Sequence, residues 1–257
     1  MWEDIDTGRV KAYIYLPDET RSTKQIKITG QEYRRLVKVL RLKVDDKVIL
    51  FGDIDCEYTA RIKNIGSKSL DLEVLSETRV PPISGPEIKL IQVLPKGNKM
   101  DFIIKKGTEL GISSIYPIYS SRSIVRYDER KIEIKMEHWN KLARESARQS
   151  RQTRIPSINY PLKWAEFLNL SKYFKRNSLR IMLWENEKEK KLKTVLNCQP
   201  PEEIFVLIGP EGGFSQIEAN EAKSCNFIPV VLGRRILRTE TASLAILSVI
   251  QFTWGEL

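Results

Sequence analysis

The sequence predicts an α/β protein in two parts, a small β-rich N-terminal domain followed by a larger domain built on a parallel sheet. Three observations lead there. The first third alternates short strand-like runs with turn residues, the remainder alternates continuous apolar runs with helical periodicity, and a proline-rich segment separates the two textures.

In the first part, "VKAYIYL" (10–16), "DKVILF" (46–51), "EYTARIKNI" (57–65) and "SLDLEVL" (69–75) read as strands. One helix interrupts them. In "TGQEYRRLVKVLRL" (29–42), Thr29 and Glu32 have the spacing of a capping box, in which each side chain satisfies an orphan N–H of the first turn. Tyr33, Leu36, Val37 and Leu40 form its core-facing stripe, and Arg34, Lys38 and Arg41 a basic row beside it. That row is either a solvated face or a ridge that contacts phosphates. "SETRVPPISGPEIKL" (76–90) marks the boundary, giving domains at 1–78 and 79–257.

Beyond it, "IKLIQVL" (88–94), "ISSIYPIY" (112–119), "LRIMLW" (179–184), "IFVLIG" (204–209) and "FIPVVLG" (227–233) have the apolar continuity of strands buried on both faces. Helical patterns lie between them. "NKMDFIIKKGTEL" puts Met100, Ile103, Ile104 and Gly107 on one face and stops at Gly111, and Gly107 there points to close helix packing. "HWNKLARESARQSRQTRIP" spaces Lys141, Arg144, Arg148 and Arg151 along a second basic side, while "ENEKEKKLK" reads as an exposed loop or helix start.

Composition narrows the function. Lys and Arg outnumber Asp and Glu by 43 to 33 in 257 residues, a formal charge of +10, which favours a polyanionic partner and nucleic acid first. Cys56, Cys198 and Cys225 have neither disulfide nor zinc-ligand spacing and read as small buried hydrophobes. His138 is the single histidine, in an amphipathic helical pattern, so histidine triads and histidine-rich metal sites lack material. No apolar run has bilayer length and "MWEDIDTGRV" is no signal peptide, so the expectation is a cytoplasmic protein with no membrane and no metal.

Two glycine-punctuated loops carry the chemistry. In "IFVLIGPEGGFSQIEANEAK" (204–223), a buried strand runs out at Ile208, Gly209 and Pro210 turn the chain, and Gly212 and Gly213 let a ligand approach the backbone. Ser215 and Glu218 then cap a helix starting at Gln216. The bland reading is a plain β-to-α turn, but three glycines within five residues favour a ligand site. The phosphate-binding lysine motif and the dinucleotide glycine spacing are both absent, and Glu211 would repel a triphosphate, so an uncharged or partly cationic ligand is expected. "LGRRILRTETASLAIL" (232–247) repeats the logic. Gly233 turns the chain, Leu232, Ile236 and Leu237 suit a flat base, Arg238 and Glu240 bring opposite charges to the rim, and Leu244, Leu247 and Ile250 continue an apolar helix.

"LPKGNKMDFIIKKGTELGI", "ESARQS", "LIGPEGGFSQIE" and "LGRRILRTETA", in this order and with "LVKVLRL" before them, closely resemble the RsmE family of 16S ribosomal RNA methyltransferases, which methylate N3 of a uridine. The resemblance covers most of the chain. It implies a homodimer of the SPOUT class, with a PUA-like β-barrel domain at the N-terminus and a trefoil-knotted, parallel-sheet methyltransferase domain that uses S-adenosyl-L-methionine. Folding rules alone argue against a knot, so that expectation rests on the resemblance. Carried over by motif, the cofactor residues are Leu183, Glu185, Gly209, Pro210, Glu211, Gly212, Gly213, Leu232, Gly233, Ile236, Leu237 and Arg238. Arg238, Glu240 and Thr241 are the catalytic candidates, with Thr239 as an alternative hydroxyl. Arg34, Arg35, Lys38, Arg41, Lys96, Lys99, Arg148 and Arg151 are expected to face the partner, 16S rRNA within the 30S subunit. The chain departs from the family at "RQSRQ" (148–152), where Glu-Gln-Ser-Gly-Arg is usual, and at "YRRLVKVLR", where histidines are common. Two other classes compete, a non-enzymatic RNA-binding protein on the same fold and a nucleotide-hydrolysing enzyme, the latter disfavoured by the missing lysine motif.

Overall fold

The computed structural model describes residues 10–16, 25–52, 56–79, 85–152, 154–255 and 257, so the start of "MWEDIDTGRV" and the centre of the proline-rich junction lie outside the described residues. The chain divides into two compact units, Met1–Pro82 with Ala147–Ile155, and Ile83–Ser146 with Pro156–Leu257.

In the first unit, β1 (Ala12–Tyr15), β2 (Gln25–Thr29), β3 (Lys47–Phe51), β4 (Cys56–Ile65) and β5 (Ser69–Arg79) form one sheet in the order β1-β3-β4-β5-β2. β1 runs parallel to β3 and the other pairs are antiparallel. Ile14, Leu36, Val48, Leu50, Ile62, Leu70 and Leu72 are buried in its core. β2 is absent from the strands expected from the sequence. Its "QIKIT" alternates strictly, burying Ile26 and Ile28, but the run is short and its polar residues hide the pattern in a window average.

The helix beside this sheet differs from expectation. α1 (Gly30–Arg34) passes at once into a π-helical turn over Arg35–Val39. Thr29 occupies the cap position at the end of β2 without a side-chain cap bond, and Gly30 after it is left-handed (φ 64°), which turns the first helical turn away from the geometry of a capping box. Glu32 binds Arg35 instead of the chain start, through Nε at 2.9 Å and through Nη2. The wider π turn, closed by Leu40 N–H donating to Arg35 O at 2.9 Å, rotates the residues after it. Leu40 becomes 42% exposed, Leu42 takes the buried place expected for it, and Arg41 leaves the helix in a left-handed conformation (φ 54°). Arg34 and Lys38 remain on the helical surface; Arg41 does not extend their row.

The second unit holds a six-stranded sheet, every pair parallel: β6 (Glu87–Val93), β7 (Ser114–Ile118), β8 (Ser157–Ile158), β9 (Leu179–Leu183), β10 (Glu203–Ile208) and β11 (Ile228–Val230), in the order β11-β9-β10-β6-β7-β8. α2 (Lys99–Glu109), α3 (Glu129–Ser150), α4 (Trp164–Ser171), α5 (Leu192–Val195) and α6 (Gln216–Ser224) connect the strands, and α7 (Thr239–Trp254) comes after β11. The continuous apolar runs have their cause here, since a parallel sheet is covered on both faces; β10 is buried at every residue. On one face Ile91, Val93, Met182, Phe205, Leu207, Phe214 and Phe227 share a cluster. On α2, a Cβ at Gly107 would stand 2.8 Å from Ile112 Cδ1, just past the helix end, with Leu247 Cδ1 of α7 in ordinary contact at 3.7 Å. The packing at Gly107 is close, as expected, but the tight neighbour is the turn that follows α2 and not a second helix.

α3 ends at Ser150 and Arg151 turns left-handed (φ 56°), so Arg151 is off the basic side shared by Lys141, Arg144 and Arg148 and lies 5.7 Å over the Tyr13 ring. His138 Nε2 meets Asp101 Oδ2 at 2.7 Å and Trp139 Nε1 donates to the other oxygen at 3.2 Å, a packing role that ties α3 to α2. Of the cysteines, Cys198 is exposed and Cys56 and Cys225 are half-buried, so none is the buried hydrophobe expected. Cys198 sits just past the short α5 with its thiol toward Val195 O at 3.5 Å. Among the described residues, no helix is long and apolar enough to cross a membrane and no group of His, Cys, Asp and Glu is placed to hold a metal ion.

Arg180 on β9 fastens the far end of this sheet. It is buried without a carboxylate partner among the described residues, and its guanidinium donates to Ser171 O, Cys225 O, Phe174 O, Lys175 O and Ser178 Oγ at 2.9–3.4 Å. These carbonyls close the C-terminal ends of α4 and α6, where the helix dipoles favour a cation. Arg180→Met should therefore cost about 2–3 kcal/mol of unfolding free energy, read from urea titrations, by orphaning those carbonyls. An unchanged urea midpoint would remove Arg180 from this role.

Candidate cofactor and active site

At the carboxyl ends of β9, β10 and β11, adjacent in the sheet, the chain encloses a cavity of about 450 Å³. That is ligand-sized, and the strand ends of an open α/β sheet are where ligands bind. Leu183 lines it from the end of β9 and Glu185 from the loop after it, Gly209, Pro210, Glu211 and Gly213 from the loop after β10, and Leu232, Gly233, Ile236, Leu237 and Arg238 from the loop after β11. Gly212 is not on the wall. Its carbonyl faces outward and accepts from Arg122 Nη1 at 2.7 Å.

The glycine loop has little room for side chains. Gly213 is left-handed (φ 65°), and a Cβ there would stand 2.5 Å from Glu185 Oε1; one at Gly209 would press on the Phe214 ring at 3.2 Å. The capping box behind it forms as expected: Glu218 N–H donates to Ser215 Oγ at 3.2 Å, and Ser215 N–H to Glu218 Oε2 at 2.9 Å. The other oxygen of the buried Glu218 accepts from Ser121 N–H at 2.6 Å, which ties the loop after β7 to the same helix start.

A buried amide fixes the opposite wall. Gln92 of β6 is fully buried; its Nε2 donates to Thr239 Oγ1 at 3.0 Å and to Val93 O at 2.9 Å, and its Oε1 accepts from Ser243 Oγ at 2.7 Å. Thr239 Oγ1 in turn donates to Gly209 O at 2.7 Å. The first turn of α7 and the start of the glycine loop are thereby held to one strand.

The charges arrange themselves around Lys99. Its Nζ lies 2.7 Å from Glu211 Oε1 and 3.7 Å from Glu240 Oε2, and Glu211 also accepts from Lys96 N–H at 3.1 Å. Burial alone would raise the Glu211 carboxyl; the Lys99 hydrogen bond, the amides of Glu211 and Lys96 and the Lys99 charge together hold it below its ordinary value. The Lys99 ammonium is raised, first by its bond to Glu211. Glu211 stays anionic and Lys99 cationic at neutral pH, so the loop's negative charge is neutralised internally and repels an anion less than the sequence alone suggests. Glu240 Oε2 is buried with no hydrogen-bond partner among the described residues. Arg238, at the cap of α7, is exposed and makes no ion pair or hydrogen bond through its side chain among the described residues, which leaves its guanidinium free at the mouth. Neither Glu240 nor Thr241 lines the cavity as Arg238 does: Thr241 is exposed, whereas Thr239 reaches the wall but is buried and committed to Gly209.

The residues expected to face RNA are dispersed. Arg34, Lys38 and Arg41 are exposed in the first unit, where Arg35 is half-buried against Glu32 and Tyr13 O. Arg148 and Arg151 belong to that unit too. In the second unit Lys96 is exposed and Lys99 lines the cavity. Sequence reasoning missed Gln92, Lys99 as a cavity residue, and Arg122. Gln92 had left a signal, a lone amide within "IKLIQVL"; Arg122 left none.

Comparison with known proteins agrees with this geometry. A family model described as an RNA methyltransferase domain matches residues 83–251, and one described as an RNA methyltransferase PUA domain matches residues 28–75. The ribosomal RNA small subunit methyltransferase E of Bacillus subtilis is 30% identical over 232 residues, covering 88% of this chain and 89% of that protein. The solved methyltransferase E of Neisseria gonorrhoeae, bound to S-adenosyl methionine, superposes with a TM-score of 0.83 at 28% identity, covering 95% of this chain and 98% of that one. A Legionella pneumophila protein solved with bound SAM gives 0.85 at 29% identity, over 97% of this chain and 100% of that one. With two thirds of its length in the methyltransferase domain and the PUA domain before it, the chain belongs to the family of ribosomal RNA small subunit methyltransferases E.

Proposed function

We propose that the protein methylates N3 of a uridine in the 16S rRNA of the 30S subunit, using S-adenosyl-L-methionine, as a cytoplasmic homodimer. In this reading residues 1–78 bind RNA and residues 79–257 carry out the transfer on a knotted chain path. The observation that carries the reading is the cavity at the ends of β9, β10 and β11, whose floor is glycine backbone with no room for a Cβ at Gly213. The residues present suit the cofactor: the wall offers apolar surface at Leu183, Leu232 and Leu237 for a flat base, backbone groups at Gly209, Pro210, Glu211 and Gly213, and a buried Trp184 Nε1 that lacks a partner among the described residues. Exposed apolar side chains on α2 and α7, Phe102, Val249 and Phe252, support a second copy of the chain as partner.

When bound, the cofactor supplies an activated methyl group on a sulfonium. The chain's task is to hold the uracil N3 in line with it and to manage charge. As N3 loses its proton, negative charge spreads onto O2 and O4, and the free guanidinium of Arg238 at the mouth is placed to stabilise it. Glu240, two residues along the chain, stands behind the cavity wall with Oε2 short of a hydrogen-bond partner among the described residues, so it takes the proton by relay and not directly, with the exposed Thr241 hydroxyl as a stepping point. Thr239 is left out of this relay, because its hydroxyl hydrogen is engaged by Gly209 O. Lys99 keeps Glu240 oriented through the 3.7 Å ion pair.

Mass spectrometry of 16S RNA after incubation of 30S subunits with the protein and cofactor should find one added methyl on a uridine; RNA binding without modification would instead favour the non-enzymatic class. Arg238→Ala should lower the methylation rate about 100-fold or more with RNA affinity little changed, and a wild-type rate would end its assignment. Gly213→Ala should weaken cofactor binding about tenfold in calorimetry, since the left-handed backbone alone costs about 1–2 kcal/mol; unchanged affinity would show that the loop does not hold the cofactor. Charge reversal at Arg34 and Lys38 should flatten the salt dependence of RNA binding while leaving cofactor affinity alone, and an identical salt slope would return them to a solvated face.

A further inference from the structure

The loop between β11 and α7 carries more positive charge than the proposed reaction uses. Arg234, Arg235 and Arg238 all line the cavity and all are exposed. Among the described residues, Arg234 and Arg235 have neither ion pair nor hydrogen-bond partner. The acidic side chains nearby do not balance them: Glu211 is held by Lys99 at 2.7 Å, Glu240 lies 3.7 Å from the same ammonium, and of the described residues on the wall only Glu185 remains. The cofactor contains no phosphate, and its single carboxylate needs at most one guanidinium. Between the arginines stands Ile236, a cavity-lining aliphatic residue that is 85% exposed.

We infer that Arg234 and Arg235 form a phosphate-binding brim that seats the RNA backbone on either side of the target nucleotide, while Ile236 packs against the base entering the cavity. This rests on the methyltransferase reading. Guanidinium suits the role, since its planar fork matches a phosphate and it loses less hydration than an ammonium. A free guanidinium pair costs the unbound protein little at an exposed loop and gains counterion release when RNA arrives. The placement on the cavity wall distinguishes this brim from a merely solvated charge run: phosphates held there bring the adjacent base to the reacting atoms, which a distant basic surface cannot do. Arg234 and Arg235 are thus positioning residues for the substrate.

The test is the double variant Arg234→Ala/Arg235→Ala in the full chain, with a 16S rRNA fragment for binding and 30S subunits for turnover. The slope of log affinity against log salt should fall by about 1.4–1.8, from about 0.7–0.9 per phosphate contact, and KM for 30S should rise about tenfold with kcat nearly kept. Cofactor affinity in calorimetry should not move, and Arg234→Lys/Arg235→Lys should recover most of the slope. Lys172→Ala/Arg176→Ala removes the same charge beyond the amino end of β9, away from the cavity, and should leave slope and KM unchanged. A wild-type salt slope in the first variant, an equal loss in the remote control, or a matching loss of cofactor affinity would each overturn the brim. Failure of the wild-type protein to methylate 30S would instead sink the proposed function, and the salt slopes would still decide whether the brim binds phosphate.

Discussion

The site depends on one buried amide. Gln92 sits in a strand that is otherwise apolar toward the core, and every polar atom it carries there is matched by Thr239, Ser243 or backbone. In a dry interior such a network has few acceptable geometries, because any shift of a partner leaves a donor or acceptor unpaired at a cost of about 1–3 kcal/mol. The first turn of α7 is therefore fixed relative to β6, and Gly209 with it through Thr239. Arg238 and Glu240 flank Thr239, so their placement is inherited from a hydrogen bond that neither makes. Catalytic candidates at the start of a helix are held as if they stood on a strand.

Electrostatics complete that scaffold. Lys99 draws Glu211 and Glu240 to the N-terminal turn of α2, and the anions there also meet the positive end of the helix. The charge left uncompensated on the cavity wall is guanidinium. The mouth is thus cationic although the loop sequence "GPEGG" looks acidic, a reversal produced by a lysine more than a hundred residues away in the chain.

Much of the architecture was legible in the sequence. The parallel sheet was readable because two covered faces demand continuous apolar runs, and the Ser215 and Glu218 cap because it is local and comes after a strand that ends in glycine. Thr29 and Glu32 have the same spacing and make no cap, since the left-handed Gly30 between them and the ion pair of Glu32 with Arg35 decide the outcome, and a spacing rule weighs neither. The π turn misplaced Leu40 and Arg41 for a related reason: a 3.6-residue period was assumed where one turn is wider. In the site, both glycine loops were readable. Lys99, Gln92 and Arg122 were not, because each acts across the sheet on residues far from it in sequence.

The strand order has a kinetic consequence. β9, β10 and β11 follow one another in the chain and pair directly, but Gln92 and Lys99, which hold the loops at their ends, arrive only with β6, when β10 pairs with it in register and joins Glu203 to Glu87. Such contacts are formed late, since loop closure has to precede any gain from pairing. The ordered form of the cavity is consequently the last part of the domain to form: its framing strands can pair early, while the loops at their ends wait for β6 and α2, and slow refolding, rather than low stability, is the signature such a topology leaves in stopped-flow traces.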